Sequence, residues 1–127
     1  MKNIMIIDDS KDFVAMLKIR VENFGDYKVD GLSEAKDIIS QVHAFKPDVI
    51  LLDLLMPGAG GLDACEMLNN DPLGRVIPVI IISGLDNKTD KIKAFKSGAI
   101  DYLVKPVDDL KLMEAIKKAI EHKTEQF

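Results

Sequence analysis

The sequence predicts an α/β fold, five strand–helix units laid on one parallel sheet, and three observations carry that reading. Four short apolar runs, Ile4–Ile7, Val49–Leu52, Val79–Ile82 and Ile100–Val104, have no polar alternation. Strands covered on both faces of a parallel sheet read that way. Amphipathic stretches with apolar residues three or four apart separate the runs, as surface helices require. Each run ends on a polar or charged residue: Asp8, Asp53, Ser83 and Lys105.

The elements follow in order. After the first strand, Phe13, Leu17, Val21 and Phe24 form a helical stripe that Gly25 stops. Tyr27–Val29 is the shortest strand candidate and suits a sheet edge. Ala35, Ile38, Ile39 and Val42 define a second helix, with Ser33 placed to cap it. Leu62–Leu68 gives a short third helix after the strand that ends at Asp53. Asp90–Lys96, carrying Ile92 and Phe95, is the fourth, with Gly98 as its stop. Leu110, Met113, Ile116 and Ile120 make the fifth, with Asp108 and Asp109 near its positive N-terminal end. Right-handed crossovers place such helices on both faces of the sheet. Residues 1–122 read as one domain, and 123–127 as a polar C-terminal tail that frays or leads to a further domain.

Composition narrows the function classes. With 127 residues, 47% of them apolar and 30% charged, the chain fits one globular domain. No apolar run approaches the roughly 18 residues of a membrane span, so membrane insertion is not expected. Met1–Ile7 is too short for a signal peptide. The single cysteine, Cys65, excludes an internal disulfide and fits a reducing, cytoplasmic location. Cys65 itself reads as a small buried apolar residue, and His43 and His122 as exposed helix positions. A net charge of −4 argues against direct nucleic-acid binding.

In open α/β sheets, chemistry gathers outside the carboxyl ends of the strands. Here those ends carry Asp8-Asp9, Asp53, Ser83 and Lys105-Pro106. Three carboxylates in one crevice repel each other, and at least one would hold its proton too tightly unless a cation intervened. Mg²⁺ accepts carboxylate, phosphate and water oxygens in octahedral geometry. Lys105 can meet a phosphate oxygen as a compact charge, and Ser83 can hydrogen-bond another. The set suits phosphoryl transfer through a carboxylate nucleophile, where catalysis is mainly positioning and charge neutralisation. Each residue also has a plainer reading. Asp8-Asp9 or Asp53 could be caps, Ser83 a strand-end hydrogen-bonder, Lys105 surface charge and Tyr102 half-buried packing.

Taken together and in order, Asp8-Asp9, Asp53 with Met56-Pro57, Ser83-Gly84 and Lys105-Pro106 resemble the receiver domain of two-component response regulators. The resemblance spans the chain from Ile4 to the last helix. It implies a flavodoxin-like three-layer sandwich with strand order 2-1-3-4-5, an order for which the chemotaxis member of this family is a known example. It implies that Asp53 accepts the phosphoryl group. Asp8, Asp9, Asp53 and the Leu55 carbonyl would hold Mg²⁺, and Lys105 would bind a phosphate oxygen. Ser83 would move toward the phosphoryl group, Tyr102 would turn inward with it, and the Lys105–Pro106 peptide would be cis. The partners implied are a sensor histidine kinase or histidine phosphotransfer protein, and a protein target on the face of the fourth helix, fifth strand and fifth helix. The protein would be a monomer or a phosphorylation-linked dimer.

Two positions depart from the family's frequent pattern. Leu55 and Leu85 stand two residues after Asp53 and Ser83, where polar or acidic residues are common. Two leucines would restrict water and lengthen the phosphoryl lifetime. The loop Gly58-Ala59-Gly60-Gly61 is glycine-rich and expected to be mobile. Two other functions compete. A phosphatase that forms an aspartyl phosphate would want an acid at Leu55. A flavin-binding module would want a Ser/Thr/Gly-rich phosphate loop where Asp8-Asp9-Ser10-Lys11 stands.

Overall fold

The computed structural model describes residues 1–56, 58 and 60–125, with side chains to residue 122. The elements are β1 (Lys2–Ile7), α1 (Lys11–Phe24), β2 (Tyr27–Leu32), α2 (Ile38–Phe45), β3 (Val49–Leu52), α3 (Gly61–Asn69), β4 (Val79–Ser83), α4 (Lys88–Lys96), β5 (Asp101–Val104) and α5 (Asp109–Glu125), with a 3₁₀ turn over Gly74–Val76. All five strands are parallel, in the order β2-β1-β3-β4-β5. β2 is an edge strand and runs three residues beyond its predicted end. α5 continues to Glu125, past the predicted domain boundary. Met56 is described, but Pro57 and Ala59 of the predicted motif and loop lie outside the described residues.

Alternate residues of each strand feed opposite faces. On one face Met5, Ile7, Ile50, Leu52 and Ile81 pack with Ile38 and Val42 of α2, Leu68 of α3 and Ala94 of α4. On the other, Ile4, Ile6, Leu51, Ile80 and Ile82 pack with Leu17 and Val21 of α1 and with Leu112 and Ile116 of α5. Truncating one of these large side chains to alanine should destabilise the fold by about 2–5 kcal/mol.

Three local predictions are corrected. Ser33 does not cap α2. The helix starts at Ile38 after an uncapped Asp37, and Ala35 is a buried turn residue whose carbonyl accepts the Ile38 N–H at 3.0 Å. Its spacing from Ile38 mimics a helical one. Ile92 and Phe95 are 43% and 49% exposed, and the residue that α4 buries is the small Ala94. Leu110 is 62% exposed; the buried stripe of α5 is Leu112, Ala115, Ile116 and Ala119. Counting only large apolar residues hid a stripe built half of alanine. The stop at Gly98 holds: its φ is +104°, and the Ala99 N–H reaches back to the Ala94 carbonyl at 3.1 Å.

Candidate functional site

Register places the site. Ile7 pairs with Leu52, Leu52 with Ile81 and Ser83 with Val104, so the strands end level. The ladder continues one residue further: Asp53 N–H donates to Ile7 O at 2.9 Å, Asp8 N–H to Leu32 O at 3.1 Å, and Lys105 N–H to Ser83 O at 2.9 Å. Sheet hydrogen bonds thus fix the backbones of Asp8, Asp53 and Lys105. The order reverses between β1 and β3, which opens a crevice between the strands that carry Asp8 and Asp53.

Within the crevice, Asp8 and Asp53 are 2% and 5% exposed, and Asp9 is exposed. Carboxylate oxygens of Asp8, Asp9 and Asp53 all lie within 4.8 Å of one another. Lys105 Nζ is 2.7 Å from Asp8 Oδ2 and 3.6 Å from Asp53 Oδ2. The Lys105 ammonium therefore contacts two of the three carboxylates. Among the described residues, Asp53 Oδ1 accepts one weak bond, from the Leu55 N–H at 3.3 Å. Burial pushes the Asp53 carboxyl above its ordinary range; Lys105 pulls it down, Asp8 pushes it up, the Leu55 N–H pulls it down and Asp9 pushes it up. Such an oxygen cluster, short of positive charge, fits a hard divalent cation such as Mg²⁺.

Local sequence explains how the carboxylates are aimed. Asp8 Oδ1 accepts the Ser10 N–H at 2.9 Å, and Ser10 Oγ caps α1 by accepting the Phe13 N–H at 3.2 Å. Gly61, the first residue of α3, presses on the backbone behind Asp53. A Cβ there would come within 2.6 Å of Leu54 Cα and still closer to the Asp53 carbonyl oxygen. Only glycine allows that approach. The Lys105–Pro106 peptide is cis. Arg20 of α1 anchors the following loop by donating to the Val107 carbonyl at 2.6 Å and pairing with Asp109.

Ser83 is fully buried, and its Oγ accepts the Leu85 N–H at 3.2 Å. The Tyr102 hydroxyl donates to the Leu85 carbonyl at 2.6 Å. Lys91 stands 5.9 Å from the Tyr102 ring centroid and pairs with Asp86 at 2.7 Å. Leu55 is 57% exposed, and Leu85 is half-buried. Sequence reasoning missed Phe13, which it placed only in a packing stripe. Its ring lies under Lys105, 4.1 Å from Nζ to centroid. An aromatic in the first helical turn after an acid pair was the available signal. Burial raises the Cys65 thiol to about 11, which keeps it protonated and inert. Among the described residues no helix is long and apolar enough to cross a membrane.

The family model for the response regulator receiver domain matches residues 4–117. Protein PilH of Pseudomonas aeruginosa is 37% identical over 120 residues, covering 94% of this chain and 98% of that protein. Response regulator PleD of Caulobacter vibrioides is 35% identical over 114 residues, covering 90% of this chain but only 25% of PleD. A receiver domain from Clostridium thermocellum superimposes with a TM-score of 0.90 at 28% identity over all of both chains. A CheY-like receiver from Methanospirillum hungatei gives 0.89 at 23% identity, which speaks to the fold alone, the flavodoxin-like sandwich. A family model that runs from β1 into α5, over a sheet whose ends gather the acids and the lysine, makes this chain a member of the response-regulator receiver domains.

Proposed function

We propose that the protein is a phosphorylation-activated switch of a two-component phosphorelay, accepting a phosphoryl group on Asp53 from a histidine kinase or phosphotransfer protein. The observation that carries this reading is the charge imbalance at the crevice: three carboxylates, two of them buried, against one lysine. An Asp53 oxygen forms a bond to phosphorus as the donor's bond to phosphorus breaks, and the electron pair of that bond leaves with the donor. Asp8, Asp9, Asp53 and the Leu55 carbonyl would hold Mg²⁺. When bound, that ion neutralises the acids and the charge developing on the phosphoryl oxygens. Lys105 would meet one phosphoryl oxygen.

The switch follows from two bonds to one residue. Leu85 donates its N–H to Ser83 Oγ and accepts the Tyr102 hydroxyl on its carbonyl. If Ser83 Oγ turns to a phosphoryl oxygen, Leu85 loses one anchor and the loop holding Tyr102 is released. Driving the equilibrium from 1:99 to 99:1 needs roughly 5.5 kcal/mol of differential stabilisation. The output face is then α4, β5 and α5, where Ile92, Phe95 and Leu110 are exposed and a hollow of about 360 Å³ is lined by Asp86, Lys91, Tyr102, Val107 and Lys111. A protein target, or a second phosphorylated copy, docks there. The switch acts in the cytoplasm, contacts no nucleic acid itself, and does not turn over a substrate.

The decisive experiment is incubation with Mg²⁺ and acetyl phosphate, read by intact mass. The wild type should gain one phosphate mass, and Asp53→Asn should not. Folded wild type that gains nothing with the metal present would sink the reading.

A further inference from the structure

We propose that Phe13 is a positioning residue for phosphoryl transfer, its ring face keeping the Lys105 ammonium at the crevice while that ammonium exchanges Asp8 for a phosphoryl oxygen. The inference rests on the reading of Asp53 as phosphoacceptor. Lysine carries a strongly hydrated charge on a flexible four-carbon stem, so nothing in its own chemistry keeps it at the site. The Lys105 side chain is 25% exposed. Its Nζ is 4.1 Å from the centroid of the Phe13 ring. That is well inside the roughly 6 Å over which a ring face attracts a cation.

The ring is itself held by the residue that Lys105 touches. Asp8 Oδ1 fixes the Ser10 N–H, Ser10 Oγ fixes the Phe13 N–H, and Asp8 Oδ2 takes the Lys105 ammonium at 2.7 Å. Asp8 and Lys105 are therefore joined twice, once directly and once through the helix cap and the aromatic ring. The direct contact is the weaker guarantee of position, because an Asp8 that shares its charge with a cation attracts the ammonium less. The contact at 3.6 Å to Asp53 Oδ2 also changes once an Asp53 oxygen is bonded to phosphorus. The Phe13 ring carries no charge, ligates no metal and is not modified. It is the partner of Nζ that stays the same before and after transfer.

A packing role alone predicts that only the shape of Phe13 matters, so the test changes its electrostatics at constant shape. Mono-, di- and trifluorophenylalanine at position 13 weaken the ring quadrupole stepwise. With acetyl phosphate and Mg²⁺, the logarithm of the phosphorylation rate should fall steadily along the series, by about 3- to 10-fold in total. Phe13→Leu should fall at least as far, and Phe13→Trp should retain the wild-type rate or exceed it. In the metal-free protein, the Lys105 ε-methylene protons should resonate upfield of the other lysines and lose that shift in Phe13→Leu. A flat fluorine series, with unfolding midpoints unchanged, would overturn the inference and leave Phe13 as packing. A wild type that gains no phosphate mass would instead overturn the phosphoacceptor reading.

Discussion

Asp53 and Asp71 sit toward opposite ends of the parallel sheet, and their surroundings push their carboxyls in opposite directions. Asp71, in the turn after α3, takes the His43 Nε2 on both oxygens at 2.9 and 3.0 Å. Its Oδ2 also accepts the Gly74 N–H at 2.7 Å and the Leu73 N–H at 3.1 Å. The His43 side chain, then the Gly74 N–H, hold it below the usual carboxylate range. Among the described residues, Asp53 has one long N–H bond and a lysine that stands closer to Asp8 than to itself. Burial pushes it upward. An aspartate satisfied by protein donors is a structural fastener. One buried among other acids without enough donors is an incomplete site, and what it lacks is positive charge.

The largest test of that contrast removes the lysine. Lys105→Ala leaves Asp8 buried without its cation, and breaking a buried pair from one side costs about 3 kcal/mol. Urea unfolding at neutral pH in the presence of a chelator should show that loss. Adding Mg²⁺ should restore part of it, because a cation in the crevice replaces the missing charge. If Mg²⁺ restores nothing, the deficit of charge is not what defines this end of the sheet.

Next in size is Gly61→Ala, which drives a methyl group into the backbone at Asp53 and Leu54. Overpacking of this kind costs about 1–3 kcal/mol. Here it should also slow phosphorylation by acetyl phosphate, because the backbone that yields carries Asp53. A variant with lowered stability and an unchanged rate would show that Asp53 is aimed by the sheet alone.

Two substitutions then set the aspartates against each other. The raised Asp53 carboxyl favours folding fully only below its unfolded value, and that contribution is lost as pH rises through the folded one. Metal-free Asp53→Asn should therefore melt a few degrees above wild type at neutral pH, with the gap closing as the pH falls below the ordinary carboxylate range. The lowered Asp71 carboxyl contributes above its unfolded value and loses that contribution as pH falls through the folded one. Asp71→Asn should melt below wild type at neutral pH and converge with it in acid. Differential scanning calorimetry from neutral pH into acid reads both signs. Two variants that shift the same way would remove the comparison.

The same contrast explains what the sequence made legible. Strands and their charged ends were readable because a doubly covered strand must be apolar on both faces, and the residue after it is the first that can be polar. The acid cluster followed once those ends were placed level. Asp71 was not readable, because its partners are a histidine on another helix and backbone N–H groups of a turn that no periodicity announces. Phe13 was rightly read as packing, but the cation over its ring was not legible, since a ring that packs and a ring that faces a cation occupy the same helical position. The α5 stripe was read only in part, Ile116 and Ile120 but not Leu112, because alanines at 115 and 119 bury as completely as isoleucine yet carry little hydrophobic signal.

The smallest expected change in stability, and the last edge of the comparison, is Leu55→Asn. Leu55 is 57% exposed, so the substitution should alter folding by less than about 0.5 kcal/mol. Its effect belongs to the chemistry. At the Asp71 end, imidazole and N–H groups occupy the carboxylate oxygens; at the Asp53 end, Leu55 and Leu85 follow Asp53 and Ser83 by two residues, and their side chains offer an approaching water no hydrogen bond. A phosphoryl group on Asp53 should then be lost slowly, and an amide at position 55 should shorten its lifetime several-fold by holding a water in line. The lifetime is read by intact mass after the phosphodonor is removed. If Leu55→Asn leaves it unchanged, the two leucines do not gate water, and the lifetime is set inside the crevice by Lys105 and the acids.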